Sequence, residues 1–270
     1  MFSIFEKKNK LEITSVQNPK VKLVSLLQSS SKLRKENNSF VVEGKKEFNL
    51  ALKSGYTPLQ IYICAPLYGN YTEANVRQLN VEFVSELVYQ KMAFRGTTEG
   101  IIAVFEKREL LLKNISLKKN PIVLVLEGVE KPGNLGAILR SADAAGIDAV
   151  IVCDTQTDFF NPNVIRASIG CFFSVQSAIC TNDECLKWLN SNNIKYYSAS
   201  LDATKFYHEQ NLKESCAFVM GTEANGLSIF WQQNKENLIK IPMLGKIDSL
   251  NVSVSAALLC YEAQRQRNFS

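Results

Sequence analysis

Three glycine-containing segments in the second half of the sequence carry the polar side chains best placed to do chemistry. The first is KPGNLGAILRSADAAG, residues 131–146, which directly follows an apolar run. Its apolar residues recur at helical spacing, so it predicts a strand–loop–helix unit with Gly146 as the C-cap. Asn134 and Arg140 near the start of that helix can hold an anionic or hydroxyl-bearing ligand. Taken alone, the segment also fits an ordinary α/β loop with a surface arginine.

The second segment is VMGTEANGLS, residues 219–228, and it also follows an apolar run. Gly221 and Gly226 allow a close approach of the backbone, and Glu223 lies between them. A loop of small residues after a parallel strand suits contact with a cofactor, although a plain turn explains the same residues. The first segment lacks the G-x-G-x-x-G spacing of a dinucleotide site.

The third segment is IPMLGKIDSLNVSVSAALLCYEA, residues 241–263. Its pattern predicts a strand, a loop with Gly245, and a helix whose small residues permit close packing. Ser249 and Asn251 are the polar groups where this helix begins. They are candidates for the site, or they serve only as helix caps.

The elements around these segments predict an α/β fold with a parallel sheet. Continuous apolar runs separated by helical stretches indicate strands that are covered on both faces. In such sheets, ligands bind beyond the carboxyl ends of the strands. The runs are 121–126, 149–153, 172–178, 195–199, 217–220 and 238–243.

The first part of the chain has a different pattern and predicts a small mixed α/β domain. Residues 12–38 predict a helix-rich basic arm, and the pair Asn18-Pro19 marks the start of its helical pattern. Short strands and helices alternate after it, and the charged stretch that ends before Pro121 separates the two patterns. We expect a first domain at 1–110, a linker at 111–120 and a second domain at 121–270.

The excess positive charge lies entirely in the first part of the chain. Residues 1–115 contain 17 Lys or Arg against 11 Asp or Glu, whereas residues 116–270 contain 14 against 15. A basic face attracts phosphate backbones, although surface lysines also serve solubility.

The seven cysteines predict free thiols rather than disulfides or a metal site. None belongs to a C-x-x-C pair, and the single histidine, His208, has no cysteine at ligand spacing. No apolar stretch approaches the length of a membrane span, and the charged N-terminus does not resemble a signal peptide. We therefore expect a cytoplasmic protein without metal and without a membrane partner.

Together, and in this order, the three segments closely resemble the three motifs of the SpoU-type RNA 2′-O-methyltransferases of the SPOUT class. The first part of the chain resembles that family's substrate-binding domain, which is similar in fold to ribosomal protein L30e. The segments that carry this second resemblance are NPKVK at 18–22, FVVEGKKEFNLAL at 40–52, IYIC at 61–64 and RGTTEGIIAV at 95–104. The resemblance implies an α/β SPOUT domain with a C-terminal trefoil knot, a bound S-adenosyl-L-methionine and a homodimer formed through the C-terminal domain.

The family's motifs also imply roles for individual residues. The resemblance places catalytic or active-site roles on Asn134, Arg140, Glu223, Ser249 and Asn251. It places the cofactor against Met220, Gly221, Glu223, Gly226, Ile241, Met243, Leu250 and Ser253. The basic residues expected to contact RNA are Lys20, Lys22, Lys32, Arg34, Lys35 and Arg95.

The reaction that the resemblance implies requires activation of a ribose 2′-hydroxyl. In this family the arginine is often described as a base, but a guanidinium stays protonated in proteins. We therefore expect Arg140 to orient the ribose and its phosphate and to stabilise the forming alkoxide. Lys131 departs from the acidic or amide residue that many members carry before the proline of the first motif, and Ser255 replaces a usual alanine.

Alternatives remain at this point. A non-catalytic RNA-binding or ribosome-assembly protein would keep the fold, and a nucleotide-dependent oxidoreductase lacks the required glycine fingerprint. Within the enzyme class, the L30e-like domain favours structured ribosomal RNA of the 23S type over transfer RNA.

Overall fold

The chain divides into two units, each built around its own sheet. In this computed structural model the described residues are 12–69, 80–94, 99–155, 157–222 and 224–269. One unit comprises Met1–Arg108 with Phe160–Pro162, and the other comprises Glu109–Phe159 with Asn163–Ser270. No helix in the described ranges has both the length and the apolar character that a bilayer crossing demands. The domain limits of 110 and 121 stay a prediction.

The first unit is a four-stranded mixed sheet with helices. Its elements are α1 (Pro19–Ser29), α2 (Ser31–Glu36), β1 (Ser39–Glu43), α3 (Lys45–Lys53), β2 (Pro58–Ile63), α4 (Ala65–Tyr68), β3 (Val81–Phe83), α5 (Glu86–Met92) and β4 (Ile101–Glu106). The strand order is β1–β4–β2–β3, with β4 antiparallel to both neighbours and β2 parallel to β3. These elements confirm the small mixed α/β domain predicted from the sequence.

Helix α1 begins where the Asn18-Pro19 pair predicted. The Asn18 side chain accepts a hydrogen bond from the Lys20 backbone N–H at 2.9 Å, and Pro19 occupies the first turn, where it costs no hydrogen bond. Val21, Val24 and Leu27 are fully buried and belong to the core that also includes residues of α5. The opposite face of α1 stays exposed.

Arg34 is a correction to the predicted RNA contacts. It is only 2% exposed, and its Nη1 donates to the Leu27 carbonyl at 2.6 Å and to the Gln28 carbonyl at 3.2 Å. These carbonyls are at the C-terminal end of α1, where unpaired acceptors attract a cation. Arg34 therefore holds the corner between α1 and α2 and does not present its charge to a phosphate.

The second unit contains a seven-stranded parallel sheet, as its apolar runs predicted. Its elements are β5 (Ile122–Glu127), α6 (Pro132–Ala144), β6 (Ala149–Cys153), α7 (Pro162–Ala167), α8 (Cys171–Ser174), β7 (Ser177–Cys180), α9 (Asn182–Ser191), β8 (Lys195–Ala199), β9 (Lys205–Phe206), β10 (Cys216–Met220), α10 (Ile229–Gln232), β11 (Leu238–Lys240) and α11 (Val252–Gln266). The strand order is β7–β6–β5–β10–β8–β11–β9, and every neighbouring pair is parallel.

Two predicted strands were wrong in part. The run 238–243 was expected to form a strand, but β11 ends at Lys240 and the start of the third motif is a loop. The apolar run 172–178 was expected to form a single strand, but its start belongs to α8 and the strand β7 begins only at Ser177. Phe172 and Phe173 are buried on that short helix. A short apolar run fits a buried helix as well as a buried strand, so periodicity alone does not separate them.

The connections of this sheet create a crevice at its centre. From β5 the chain proceeds outward through β6 and β7, whereas β10 lies on the other side of β5, next to β8. A reversal of strand order of this kind separates the loops that leave adjacent strands and opens a binding site at their carboxyl ends. The first and second sequence motifs follow β5 and β10, the two strands that flank this point.

Candidate active site

The three sequence motifs converge at the carboxyl edge of the second unit's sheet. Leu126 and Met220 lie directly opposite each other on parallel β5 and β10, so the two following loops start at the same level. Both loops and the first residue of α11 line one pocket. Its lining residues are Val129, Glu130, Lys131, Asn134, Gly221, Thr222, Ala224 and Val252.

A buried threonine forms hydrogen bonds with the backbone of the motif-one loop. Thr157 is 7% exposed, and its hydroxyl lies 2.8 Å from the Val129 carbonyl and 2.5 Å from the Glu130 carbonyl. After this loop, Pro132 opens helix α6 in the first turn. The helix then directs Asn134 toward the pocket.

The motif-two loop closes on itself through its glycines. Thr222 and Gly226 exchange two backbone hydrogen bonds of 3.0 Å, and Gly226 adopts a φ of +65°. A Cβ added to Gly221 would lie 2.1 Å from the carbonyl carbon of Gly226. Only glycine therefore fits at position 221, because the obstacle is backbone rather than a flexible side chain.

The third motif joins the first through a pair of asparagines. The Asn251 Nδ2 donates to the Asn134 Oδ1 at 3.3 Å. The Oδ1 of Asn251 accepts from the backbone N–H of Ser253 at 2.9 Å and from its hydroxyl at 2.6 Å, which makes Asn251 the N-cap of α11. Asn251 therefore has two roles. Its side-chain oxygen caps α11, and its side-chain amide group donates to Asn134 of the first motif.

Arg140 lies on the exposed face of α6, six residues after Asn134. It forms no hydrogen bond and no ion pair with the residues that the structure describes. At 1.5 Å per helical residue, it is about 9 Å further along the helix axis than Asn134. It thus lies in the second half of α6 and not near the start of the helix, where the sequence analysis placed it, and it is not among the residues that line the pocket. No described residue holds its guanidinium through a hydrogen bond or an ion pair.

The remaining predicted site residues occupy varied positions. Ser249 is exposed, and its hydroxyl lies 3.1 Å from the Asp248 carboxylate. Met220 is buried at the end of β10. Ile241, Met243, Leu250 and Ser253 are half-buried and are not among the residues that line the pocket. Glu223 and Arg95 lie outside the described residues. The roles of all these residues stay predictions.

A buried carboxylate that the sequence analysis missed supports the motif-two loop. Glu127 ends β5 with 6% exposure. Its Oε1 accepts from the Asn182 amide at 2.7 Å and from the Ser228 hydroxyl at 2.6 Å, and its Oε2 accepts from the Ser228 N–H at 2.7 Å. Trp231 in turn donates from Nε1 to the Asn182 Oδ1 at 2.7 Å. This network fixes the end of the motif-two loop to β5 and α9.

Comparison with known families accounts for both units. The model of the SpoU rRNA Methylase family matches residues 121–261. The chain belongs to the SpoU rRNA methylase family. The first part, residues 18–103, matches the model of an MRM3-like substrate binding domain.

Curated relatives of this SpoU chain are similar over most of their length. A 23S rRNA (guanosine-2′-O-)-methyltransferase, RlmB, of Bordetella pertussis is 36% identical over 179 residues, which cover 64% of this chain and 73% of the relative. A 23S rRNA (guanosine(2553)-2′-O)-methyltransferase, RlmP, of Bacillus subtilis is 29% identical over 255 residues. The aligned region covers 93% of this chain and 98% of that relative.

Solved structures share the SpoU fold over nearly the whole chain. An RNA 2′-O ribose methyltransferase superposes with a TM-score of 0.81 at 38% identity, covering 96% of this chain and 100% of that one. An AdoMet-bound rRNA methyltransferase from Sinorhizobium meliloti gives a TM-score of 0.85 at 29% identity, covering 94% and 97%.

The pocket of this SpoU chain fits S-adenosylmethionine in its chemistry. Val129 and Val252 supply apolar wall, Gly221 leaves room for close approach of the backbone, and Asn134 and Glu130 supply polar groups. A mostly apolar cleft with a few polar groups is the usual form of a cofactor site. Lys131 lines the same pocket, so its walls carry one acid and one cation.

Proposed function

We propose that this protein transfers a methyl group from S-adenosylmethionine to the ribose 2′-hydroxyl of a guanosine in 23S-type ribosomal RNA. One observation carries the proposal: in a member of the SpoU family, the three motif segments line a single pocket at the end of β5 and β10. The names of the relatives support ribosomal RNA as the substrate class and guanosine as the target. The fit of the pocket supports the cofactor.

The roles of the polar residues follow from what the reaction requires. S-adenosylmethionine supplies a methyl group on a sulfonium, which is a good leaving group. A ribose hydroxyl is a poor nucleophile until its developing charge is stabilised. We assign that stabilisation to Arg140, whose fork of donors also suits an adjacent phosphate. The asparagines Asn134 and Asn251 position the ribose, and Glu223 and Ser249 supply the remaining polar contacts.

The direct test of this function is methylation in vitro. Purified protein is incubated with S-adenosylmethionine labelled in its methyl group and with unmodified 23S rRNA, 16S rRNA or transfer RNA. We expect label in 23S rRNA alone, at a guanosine whose 3′ phosphodiester becomes resistant to alkaline cleavage, because a methylated 2′-oxygen cannot attack it. Label in transfer RNA would reassign the substrate. An absence of transfer to any RNA, with the cofactor bound, would favour a non-catalytic RNA-binding protein.

The basic arm of the first unit is proposed to bind the RNA backbone. Lys22 and Lys35 are exposed and form no ion pair with the described residues. Lys20 pairs with Glu82, and Lys32 lies 3.8 Å from Glu36, so these two cations are partly neutralised already. Lys22 and Lys35 are therefore the strongest candidates for phosphate contacts.

Replacing either free lysine should weaken binding to all RNAs alike. In Lys22→Ala or Lys35→Ala we expect the slope of log K against log salt concentration to fall by about one, because one phosphate contact is lost. The measurement is fluorescence anisotropy with a 23S rRNA fragment at several salt concentrations. Lys53→Ala, an exposed lysine of α3 outside the arm, is the matched control and should keep the parental slope. Parental slopes in both arm variants would exclude the arm as the RNA contact.

We further propose a homodimer formed through α11. Val254, Leu258 and Tyr261 are 47%, 39% and 44% exposed and share one face of that helix at i, i+4 and i+7. Apolar side chains in such a row indicate a surface that a partner covers.

We also propose the trefoil knot and a cytoplasmic location. Seven free cysteines support that location, because free thiols are typical of a reducing compartment.

A further inference from the structure

Three cysteines far apart in sequence meet beside the active-site support. Cys153 ends β6, Cys180 ends β7, and Cys185 lies in the second turn of α9. Cys153 and Cys180 are direct partners across the parallel strands. All three Sγ atoms lie within 4.8 Å of one another, and the Cys153–Cys180 pair is 3.9 Å apart. Cys153 and Cys185 are fully buried, whereas Cys180 is half-buried.

The sulfur spacing distinguishes two kinds of chemistry. A disulfide requires an S–S distance of about 2.0 Å, far below the 3.9 Å that separates Cys153 from Cys180. Tetrahedral zinc with bonds of about 2.3 Å places neighbouring thiolate sulfurs about 3.8 Å apart. The cysteine spacing therefore suits sulfurs that share one cation. Soft thiolate ligands select zinc or copper(I) over magnesium or calcium.

We propose that Cys153, Cys180 and Cys185 bind one zinc ion. Each thiol releases its proton to solvent as the corresponding Zn–S bond forms, so binding liberates up to three protons. Three protein ligands leave the fourth tetrahedral position to water, which can reach the half-buried side at Cys180. The proposal replaces the expectation of no metal, which rested on cysteine spacing along the sequence alone.

The site would stabilise the wall behind the motif-two loop. The ion would join the ends of β6 and β7 to α9, and Asn182 of that helix lies between Cys180 and Cys185 in sequence. The Asn182 side chain is the one that contacts both Glu127 and Trp231. Zinc thus acts structurally on this loop and takes no part in methyl transfer, so the proposal does not depend on the proposed function.

The experiment is a zinc titration of the reduced full-length protein after removal of metals with a chelator. Zinc chloride alone is the probe, and native mass spectrometry and calorimetry are the readouts. We expect one tightly bound zinc per chain and a rise in Tm. Cys180→Ser should weaken binding at least tenfold. Cys171→Ser, a half-buried cysteine of the same unit outside the trio, is the matched control and should bind as the parent does.

A second measurement needs no variant and so does not depend on the fold of a mutant. Zinc should slow alkylation of Cys180 in the unmutated protein by at least tenfold while Cys171 reacts at its usual rate. The proposal is overturned if zinc binds substoichiometrically, or if it leaves the alkylation rate of Cys180 unchanged. It is equally overturned if Cys180 forms a disulfide with Cys153 or Cys185 in air and the reduced protein takes up no zinc. Two of the three cysteines would then be a redox-active pair, and the third would be a neighbour without a metal.

Discussion

Arg140→Ala should lower kcat by about 10²- to 10³-fold while leaving the affinity for S-adenosylmethionine unchanged. Removal of one donor that stabilises a developing oxyanion costs a loss of that size. The fold should be unaffected, because Arg140 is exposed and forms no hydrogen bond within the described part of the chain. The measurement is methyl transfer to 23S rRNA at saturating RNA, with cofactor binding determined separately by calorimetry.

The pH profile decides which role Arg140 has. If it stabilises the alkoxide, Arg140→Ala should lower the rate uniformly across pH, whereas loss of a base should also change the shape of the profile. Arg140→Lys keeps the charge but loses the planar fork of donors, so its kcat should lie between those of the parent and of Arg140→Ala. Lys187→Ala, an exposed cation of α9 in the same unit, should behave as the parent. A kcat within threefold of parental in Arg140→Ala would remove this residue from the mechanism.

Glu127→Gln should destabilise the protein by about 2 kcal/mol and raise the KM for S-adenosylmethionine about tenfold, with little change in kcat. The carboxylate accepts three hydrogen bonds, two of them from Ser228 of the motif-two loop. An amide offers one acceptor oxygen and turns its own N–H groups toward donors, and hydrogen bonds to charged groups contribute about 1.5–3 kcal/mol each. The loop loses its anchor, so cofactor binding weakens. The measurements are urea unfolding and initial rates at varied cofactor concentration.

Asp148→Asn is the matched control for Glu127. Asp148 is also a buried carboxylate of the same sheet, 7% exposed, and accepts from the Ile122 N–H at 2.9 Å. It precedes β6 and therefore lies at the amino edge, opposite the pocket. We expect a similar loss of stability with an unchanged KM. Equal rises in KM for both variants would mean that Glu127 acts only through global stability rather than by positioning the loop.

The sequence predicted those parts of the site that depend on local pattern. The glycine-containing loops, the parallel sheet and the start of α6 and α11 follow from hydrophobic periodicity and from capping residues, which act over a few neighbouring positions. The start of α1 at Asn18-Pro19 was predicted for the same reason. The run at 172–178 was predicted only in part, because its short apolar pattern is compatible with two elements.

Glu127 and Thr157 were both missed, and of the two only Glu127 gave a weak signal in the sequence. Glu127 is a charge at the end of an otherwise apolar strand, which is where supports of a parallel-sheet site occur. Its partner Ser228 is 101 positions away, so no local spacing connects the two. Arg34 shows the opposite error: it was predicted as a surface cation, and its burial depends on how α2 turns back against α1.

Sequence alone determined the family, the class of fold and the segments that bear the site, because motif order and periodicity are properties of the chain itself. Tertiary structure alone decided which distant residues touch. It joined Asn134 to Asn251, placed Glu127 beneath Ser228 and brought Cys153 to Cys180 across neighbouring strands. The physical reason is that these contacts depend on strand order in the sheet. That order is set by the packing of the whole unit, and the immediate neighbours of a residue in the sequence do not determine it.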